Sequence, residues 1–330
     1  MPIVIDVHTH MYSNAWFDLL KKKGAPRYVV KASRDAPAPL GIYKGKAPFA
    51  TPQPAHFDYE MRIVDMDDSR VDMAIVSLTA PNVFWGSPAV SLEAARLVND
   101  DMAAAQTTWP DRIRWFASIP WEHKDLALKE LNRAHKNGAV GVMVLANIND
   151  RSLTDEKFAP IWKSIDRKGL PVLIHPTAPP STENLDIDRF NLIAQVGFMF
   201  DTTLAVSRML YSGFLDTYPN IKIIASHCGG YLPFIAGRMD MCHANMKVVS
   251  EAVDTKPSEL LRRIYYDGVT FQQETLELCI GVGGDDNVMY GSDYPHNIGD
   301  MKGCLRRIEA LKGGVRNKVR GENALRVFNL

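Results

Sequence analysis

The sequence predicts a (β/α)8 barrel, the TIM-barrel form of an α/β fold, and three observations carry the prediction. Eight short apolar runs recur along the 330 residues. Each is apolar on both alternate positions and rich in β-branched or aromatic residues, as a strand buried on both faces must be. Segments of helical length separate the runs, and strands that alternate with helices build a parallel sheet. The competing architecture is a doubly wound open sheet. That fold usually has fewer strands and often a glycine-rich phosphate turn after the first, where this chain carries His-Thr-His.

In chain order the expected strands are VIDVHTH (4–10), VDMAIVSL (71–78), RIRWFASI (112–119), VGVMVL (140–145), PVLIH (171–175), IKIIASH (221–227), IYYDGV (264–269) and VMYGSD (288–293). Among the spacers, SLEAARLVNDDMAAAQTTW opens on Ser91 with Glu93 close behind, an N-terminal helix signal. HKDLALKELNRAHKNG ends at Gly138 and DEKFAPIWKSIDRKG at Gly169, the residue type that suits a helix C-terminus. Two stretches break the rhythm. Residues 24–56 are proline-rich without a clear period, and read as a long lid-like loop after the first strand; residues 176–190 read as a second long loop on the same face. There is no internal repeat and no low-complexity tract, so the chain reads as one barrel domain over 1–330.

Composition narrows the function. Lys+Arg and Asp+Glu number 38 each, so the net charge is zero, which argues against electrostatic capture of nucleic acid or of an anionic membrane. No apolar run has the length of a membrane span. The four cysteines, Cys228, Cys242, Cys279 and Cys304, form no CxxC pair. With no secretory leader in view, they fit a reducing, cytoplasmic setting. The expected partner is therefore a small molecule, and neutral charge leaves self-association open.

Chemistry gathers at the strand ends. In a barrel these share one mouth, and here they bring His8 and His10 (first strand), His175 (fifth), His227 (sixth) and Asp293 (eighth) together. His8 and His10 are two apart on a strand and point the same way. Three imidazoles and a carboxylate suit one divalent ion with room for water or substrate, which leaves His227 free to move protons beside it. His56, His123, His135, His243 and His296 fall in loops or helices and read as structural. Phe49, Phe84, Trp85 and Phe198 read as pocket lining or ordinary core.

The ordered set HTH, IHP, SHCGG and GSDYP resembles the amidohydrolase superfamily, of the amidohydrolase-2 type. Within it, the chain is most similar to the metal-dependent non-oxidative decarboxylases of the 2-amino-3-carboxymuconate-6-semialdehyde decarboxylase family. The resemblance runs from VIDVHTH to ENALRVFNL. It implies a (β/α)8 barrel, typically dimeric, holding one zinc or manganese ion on His8, His10, His175 and Asp293. It implies His227 as the histidine that activates water and handles protons. It also implies that Arg238, in PFIAGRMD, reaches a substrate carboxylate, often in the partner subunit.

Three departures stand out. The first strand has HxH where hydroxybenzoate-acting relatives often carry ExH, which favours zinc. The loop arginine of the carboxymuconate type is replaced by Ala50 in PFATPQ, with Arg27 and Arg34 elsewhere in that loop. Cys228 follows His227 and is expected to point away from it, as neighbours on a strand do. The leading functional expectation is a metal-dependent carboxy-lyase acting on a small carboxylated aromatic or an unsaturated ring-cleavage acid. A hydrolase of a lactone, amide or ester through the same activated water is second, and a hydratase third.

Overall fold

All eight apolar runs become strands of one parallel sheet, and the sheet is nearly closed. The computed structural model describes residues 3–33, 40–45, 47–187 and 189–330. The barrel strands are β1 (Ile5–His10), β2 (Met73–Ser77), β3 (Ile113–Ala117), β4 (Gly141–Leu145), β5 (Pro171–His175), β6 (Lys222–Ala225), β7 (Tyr265–Asp267) and β8 (Val288–Met289). They are hydrogen-bonded in chain order. This is the (β/α)8 barrel that the sequence predicts.

Consecutive residues of β4 and β5 are wholly buried, from Val142 to Val144 and from Val172 to Ile174. Successive side chains point to opposite faces of a strand. Burial of both sets means that helices cover the outside while side chains fill the inside.

The last strand is shorter than expected, but the chain beyond it still closes the barrel. Val7 donates its backbone N–H to Tyr290 at 2.9 Å and His10 donates to Tyr294 at 2.7 Å, while Asp293 donates back to His8 at 2.8 Å. Gly291 eases this approach, since a Cβ there would sit a tight 3.0 Å from His8 Cβ and 3.1 Å from Asp267 Cβ. The run VMYGSD is thus a short strand that continues as a tight, irregular contact with β1.

Three of the outer helices are Pro88–Thr108, Lys124–Lys136 and Ala159–Lys168. The first begins earlier than Ser91. Ser87 is its N-cap and accepts from Val90 N–H, which leaves the Ser91 hydroxyl to donate to Val83 O at 2.5 Å. The third ends at Gly169, with φ +61, as the sequence implies.

Residues 24–56 depart from the expected loop. Within them Tyr28–Ala32, Leu40–Lys44 and Ala47–Ala50 form a small antiparallel sheet, followed by a 3-10 turn at Pro54–His56. The strands were hidden because each is short and interrupted by glycine, proline or charge, so no alternation accumulates. Arg34 lies outside the described residues. The described residues of 176–190 hold only the short turn Thr182–Asn184 and the start of another at Arg189–Asn191. Among the described residues no helix is long and apolar enough to cross a membrane.

Ile174 is fully buried in β5, immediately before His175, with Val144 and Ala225 as its ladder partners. Ile174→Ala is expected to lower folding stability by about 2–5 kcal/mol, because the vacated volume is ringed by rigid strands that cannot collapse into it. The denaturant midpoint measures this.

Candidate metal centre

On β1 the residues Asp6, His8 and His10 alternate to one side, facing the barrel interior, and all are fully buried. Asp6 sits lowest and ties β1 to the segment after β8. It accepts from the Ser292 hydroxyl at 2.5 Å and from the Ser292 backbone at 3.2 Å. Burial raises the pKa of its carboxyl to about 7, against the pull of that hydrogen bond.

Above Asp6 the expected ligands converge. His8, His10, His175 and Asp293 offer ligand atoms that all lie within 4.8 Å of one another. His8 Nε2 is 3.1 Å from His10 Nε2, and Asp293 Oδ1 is 3.3 Å from the first and 3.1 Å from the second. The other ring nitrogen of each histidine is occupied. His8 Nδ1 donates to Asp267 Oδ2 at 2.6 Å, His10 Nδ1 meets the Ser77 hydroxyl at 3.0 Å, and His175 Nδ1 donates to Pro176 O at 2.9 Å.

Donation through Nδ1 leaves the lone pair of a neutral imidazole on Nε2. His175 Nε2 is buried and has no hydrogen-bond partner among the described residues. Inward lone pairs with fixed outer nitrogens are what a divalent metal requires of its histidines.

The charges agree with the geometry. Burial disfavours a charge on His8, but Asp267 and then Asp293 outweigh it and push its pKa up to about 10. Burial pulls His10 down to about 3 and holds His175 well below the usual range. Burial also works against the Asp293 anion, yet His296, His10, His227 and His8 together hold its carboxyl well below the ordinary value. The pocket demands a positive charge between its two carboxylates, and a cation coordinated at the Nε2 atoms would meet that demand. The residues present therefore fit a metal.

His227 lies beside the four but not on β6, which ends at Ala225. It occupies a tight turn at Ser226–Gly229, where His227 (φ +55) and Cys228 (φ +53) both take left-handed backbone. The turn is held by Asp267 Oδ1, which accepts the His227 backbone N–H at 2.8 Å. His227 Nε2 is 3.5 Å from Asp293 Oδ2, and its Nδ1 is buried without a partner among the described residues. Cys228 is buried, but the turn places it there rather than strand alternation. The neighbouring Cys279 thiol, with burial, keeps Cys228 protonated.

Sequence reasoning missed three residues. Asp267, at the end of β7, positions both His8 and His227; its only sequence signal was an acid closing an apolar run. His296 and His56 read as structural, yet the His296 ring is 4.8 Å from His10 and 5.0 Å from His56. Arg238 is not brought to this cluster. It is exposed on the helix Leu232–Asn245. Phe84 and Trp85 are buried core, and Phe49 packs against Tyr28.

Asp267→Asn is expected to weaken metal binding about 10–100-fold, since the amide cannot hold His8 Nδ1–H as the carboxylate does. Competition with a chelating dye measures the loss.

Residues 5–330 match the family described as amidohydrolase. A 2-amino-3-carboxymuconate-6-semialdehyde decarboxylase from Dictyostelium discoideum is 26% identical over 332 residues, covering 99% of this chain and 91% of the relative. The crystal structure of 5-carboxyvanillate decarboxylase from Sphingomonas paucimobilis superposes with a TM-score of 0.85 at 27% identity, covering 100% of both chains. A dihydroxybenzoic acid decarboxylase from Polaromonas sp. JS666, solved with manganese and the inhibitor 2-nitroresorcinol, shares the fold, with a TM-score of 0.82 at 23% identity over 100% of this chain and 98% of that one.

Proposed function

The chain belongs to the amidohydrolase family, and from that premise we propose that it is a metal-dependent non-oxidative decarboxylase. Its substrate would be a small carboxylated aromatic or an unsaturated ring-cleavage acid. The observation that carries the reading is the convergence of three imidazoles and a carboxylate beside a histidine whose Nδ1 is left unpaired. The decarboxylase activities of the Dictyostelium and Sphingomonas relatives support it.

His8, His10, His175 and Asp293 would hold one divalent ion, and the ion would supply Lewis acidity toward the substrate carboxylate or a neighbouring oxygen. Three nitrogen donors and one oxygen favour zinc; manganese, present in the Polaromonas enzyme, is the alternative.

The chain's own residues then manage a proton. As the carbon–carbon bond breaks, its electron pair returns to the conjugated system and carbon dioxide departs. The vacated carbon needs a proton, and His227 is the group placed to deliver it from Nε2. Its ring stands 4.9 Å from His8 and 5.8 Å from His175. Asp293, 3.5 Å away, stabilises the imidazolium before transfer. Burial of His8, His10, His175 and Asp293 keeps bulk water from competing for the proton.

The small sheet of Tyr28–Ala32, Leu40–Lys44 and Ala47–Ala50 supports a lid role. Arg27, Tyr28 and Lys44 border a cleft whose far wall includes Leu145, Asn147 and Thr177, at the ends of β4 and β5. A homodimer with Arg238 serving the partner's substrate carboxylate is the accompanying proposal. It is supported by exposed Phe234 (83%) and Met241 (65%), which flank Arg238 at helical spacing.

The test is gas release. Metal-loaded enzyme given carboxylated aromatics and muconate-like acids should liberate carbon dioxide; conversion of lactones, amides or esters without gas would overturn the reading. His227→Asn should lower turnover by about 10²–10⁴-fold with metal content unchanged. Chelation should abolish turnover, and zinc or manganese should restore it.

A further inference from the structure

The helix Tyr59–Ser69 sends one cation into the protein interior. Arg62 is fully buried, and among the described residues it forms no ion pair. Its nitrogens instead serve the end of β1. Nε donates to Met11 Sδ at 2.9 Å, Nη1 to Thr9 Oγ1 at 2.6 Å and Nη2 to His10 O at 2.5 Å.

The same guanidinium lies over the Tyr294 ring, 4.8 Å from its centre. Tyr294 is held at its other points as well. Its hydroxyl donates to Asp65, which follows Arg62 by one turn of the same helix. Its carbonyl accepts from the Thr9 hydroxyl at 2.9 Å and from the His10 backbone N–H at 2.7 Å. Thr9 therefore accepts from Arg62 and donates to Tyr294 through one oxygen. The two segments gathered here carry His10 and, one residue before Tyr294, Asp293.

A buried guanidinium without a carboxylate partner is costly, and an apolar side chain of similar volume would fill the space without that cost. Neither the ligand set nor the proton path uses Arg62. What it does hold is the pair of segments whose spacing sets the shell, and Asp293 sits there with left-handed backbone that its surroundings must impose. We propose that Arg62 is a positioning residue for the metal centre. Through Thr9 and Tyr294 it fixes how His10 and Asp293 face one another, and Asp65 secures the far end of the Tyr294 ring. The proposal rests on the metal-dependent decarboxylase reading and adds the support behind its site. Arginine suits the task because its planar fork meets Thr9 and His10 at once while its face covers a ring, which a lysine ammonium cannot do.

The experiment reads cobalt(II) affinity by competition with a chelating dye, the visible absorption of the cobalt-loaded protein, which reports ligand geometry, and the denaturant midpoint of the metal-free protein. Arg62→Lys, which keeps the charge, should weaken cobalt binding about 10–100-fold and shift the spectrum. Tyr294→Phe and Asp65→Ala each remove only the half-buried hydroxyl tether. They should weaken binding about fivefold, the value of one hydrogen bond, and shift the spectrum with the metal-free midpoint nearly unchanged. Asp65→Asn keeps an oxygen to accept the hydroxyl and should recover wild-type affinity. Wild-type affinity and spectrum in both Tyr294→Phe and Asp65→Ala would overturn the proposal, whether or not Arg62→Lys folds. So would losses of affinity that simply track losses of metal-free stability from variant to variant. Wild-type protein that takes up no cobalt would overturn the metal reading and this proposal together, whereas cobalt uptake without carbon dioxide release from any acid would overturn the decarboxylase reading alone.

Discussion

The hydrogen bond from His8 Nδ1 to the Asp267 carboxylate, 2.6 Å long and wholly buried, is the contact on which the site depends. One oxygen of that carboxylate fixes the ring orientation of a ligand. The other accepts the backbone N–H groups of His227 and Val269, at 2.8 and 3.0 Å, and so holds the turn that bears His227. The inward face of β1 and the irregular end of β6 are therefore referred to a single anchor on β7. Gly291 completes the arrangement by its lack of a side chain, since a Cβ there would crowd both His8 and Asp267. Ligand direction and the placing of His227 are thus one structural problem, solved by one acid and one glycine.

Electrostatics gives the same residues a second constraint. Asp267 and Asp293 flank His8 on its two nitrogens, and together they draw it toward the charged form against its burial. His10 and His175 lack such support and are driven neutral. A site of this kind is satisfied by one positive charge located between the carboxylates and within reach of the neutral rings. Either a proton on His8 or a metal ion at the Nε2 atoms supplies it, and only the metal uses all four groups at once.

What was legible in the sequence follows from how far each signal extends. The eight strands could be read because burial on both faces writes a continuous apolar run, and His8, His10, His175 and Asp293 could be read because each closes such a run. His227 was found but assigned to a strand, since the left-handed turn at His227–Cys228 leaves no mark in a stretch that reads IASHCGG. Asp267 closes a run in the same way, but a lone acid in YYDGV has no pattern to distinguish it from a solvated strand end. The small sheet within 24–56 went unseen because its strands are short and broken. His296 is three residues beyond Asp293, and its place beside the ligands depends on how the chain turns back after β8, which no local periodicity encodes.

Barrel closure and the candidate metal site share one set of contacts. Asp6 binds Ser292, and the His8 carbonyl accepts from both Ser292 and Asp293, so the seam between the last strand and the first passes directly through the ligands. Asp293 reaches its place with φ +58, a backbone conformation that costs an aspartate free energy and persists only when its surroundings impose it. His8 Nε2 and His10 Nε2 stand 3.1 Å apart on the inward side of β1. A metal ion held by Asp293 together with His8 and His10 would bridge the seam. Occupancy would therefore stabilise the fold as well as enable the chemistry, because any ligand selective for the native state shifts the folding equilibrium toward it.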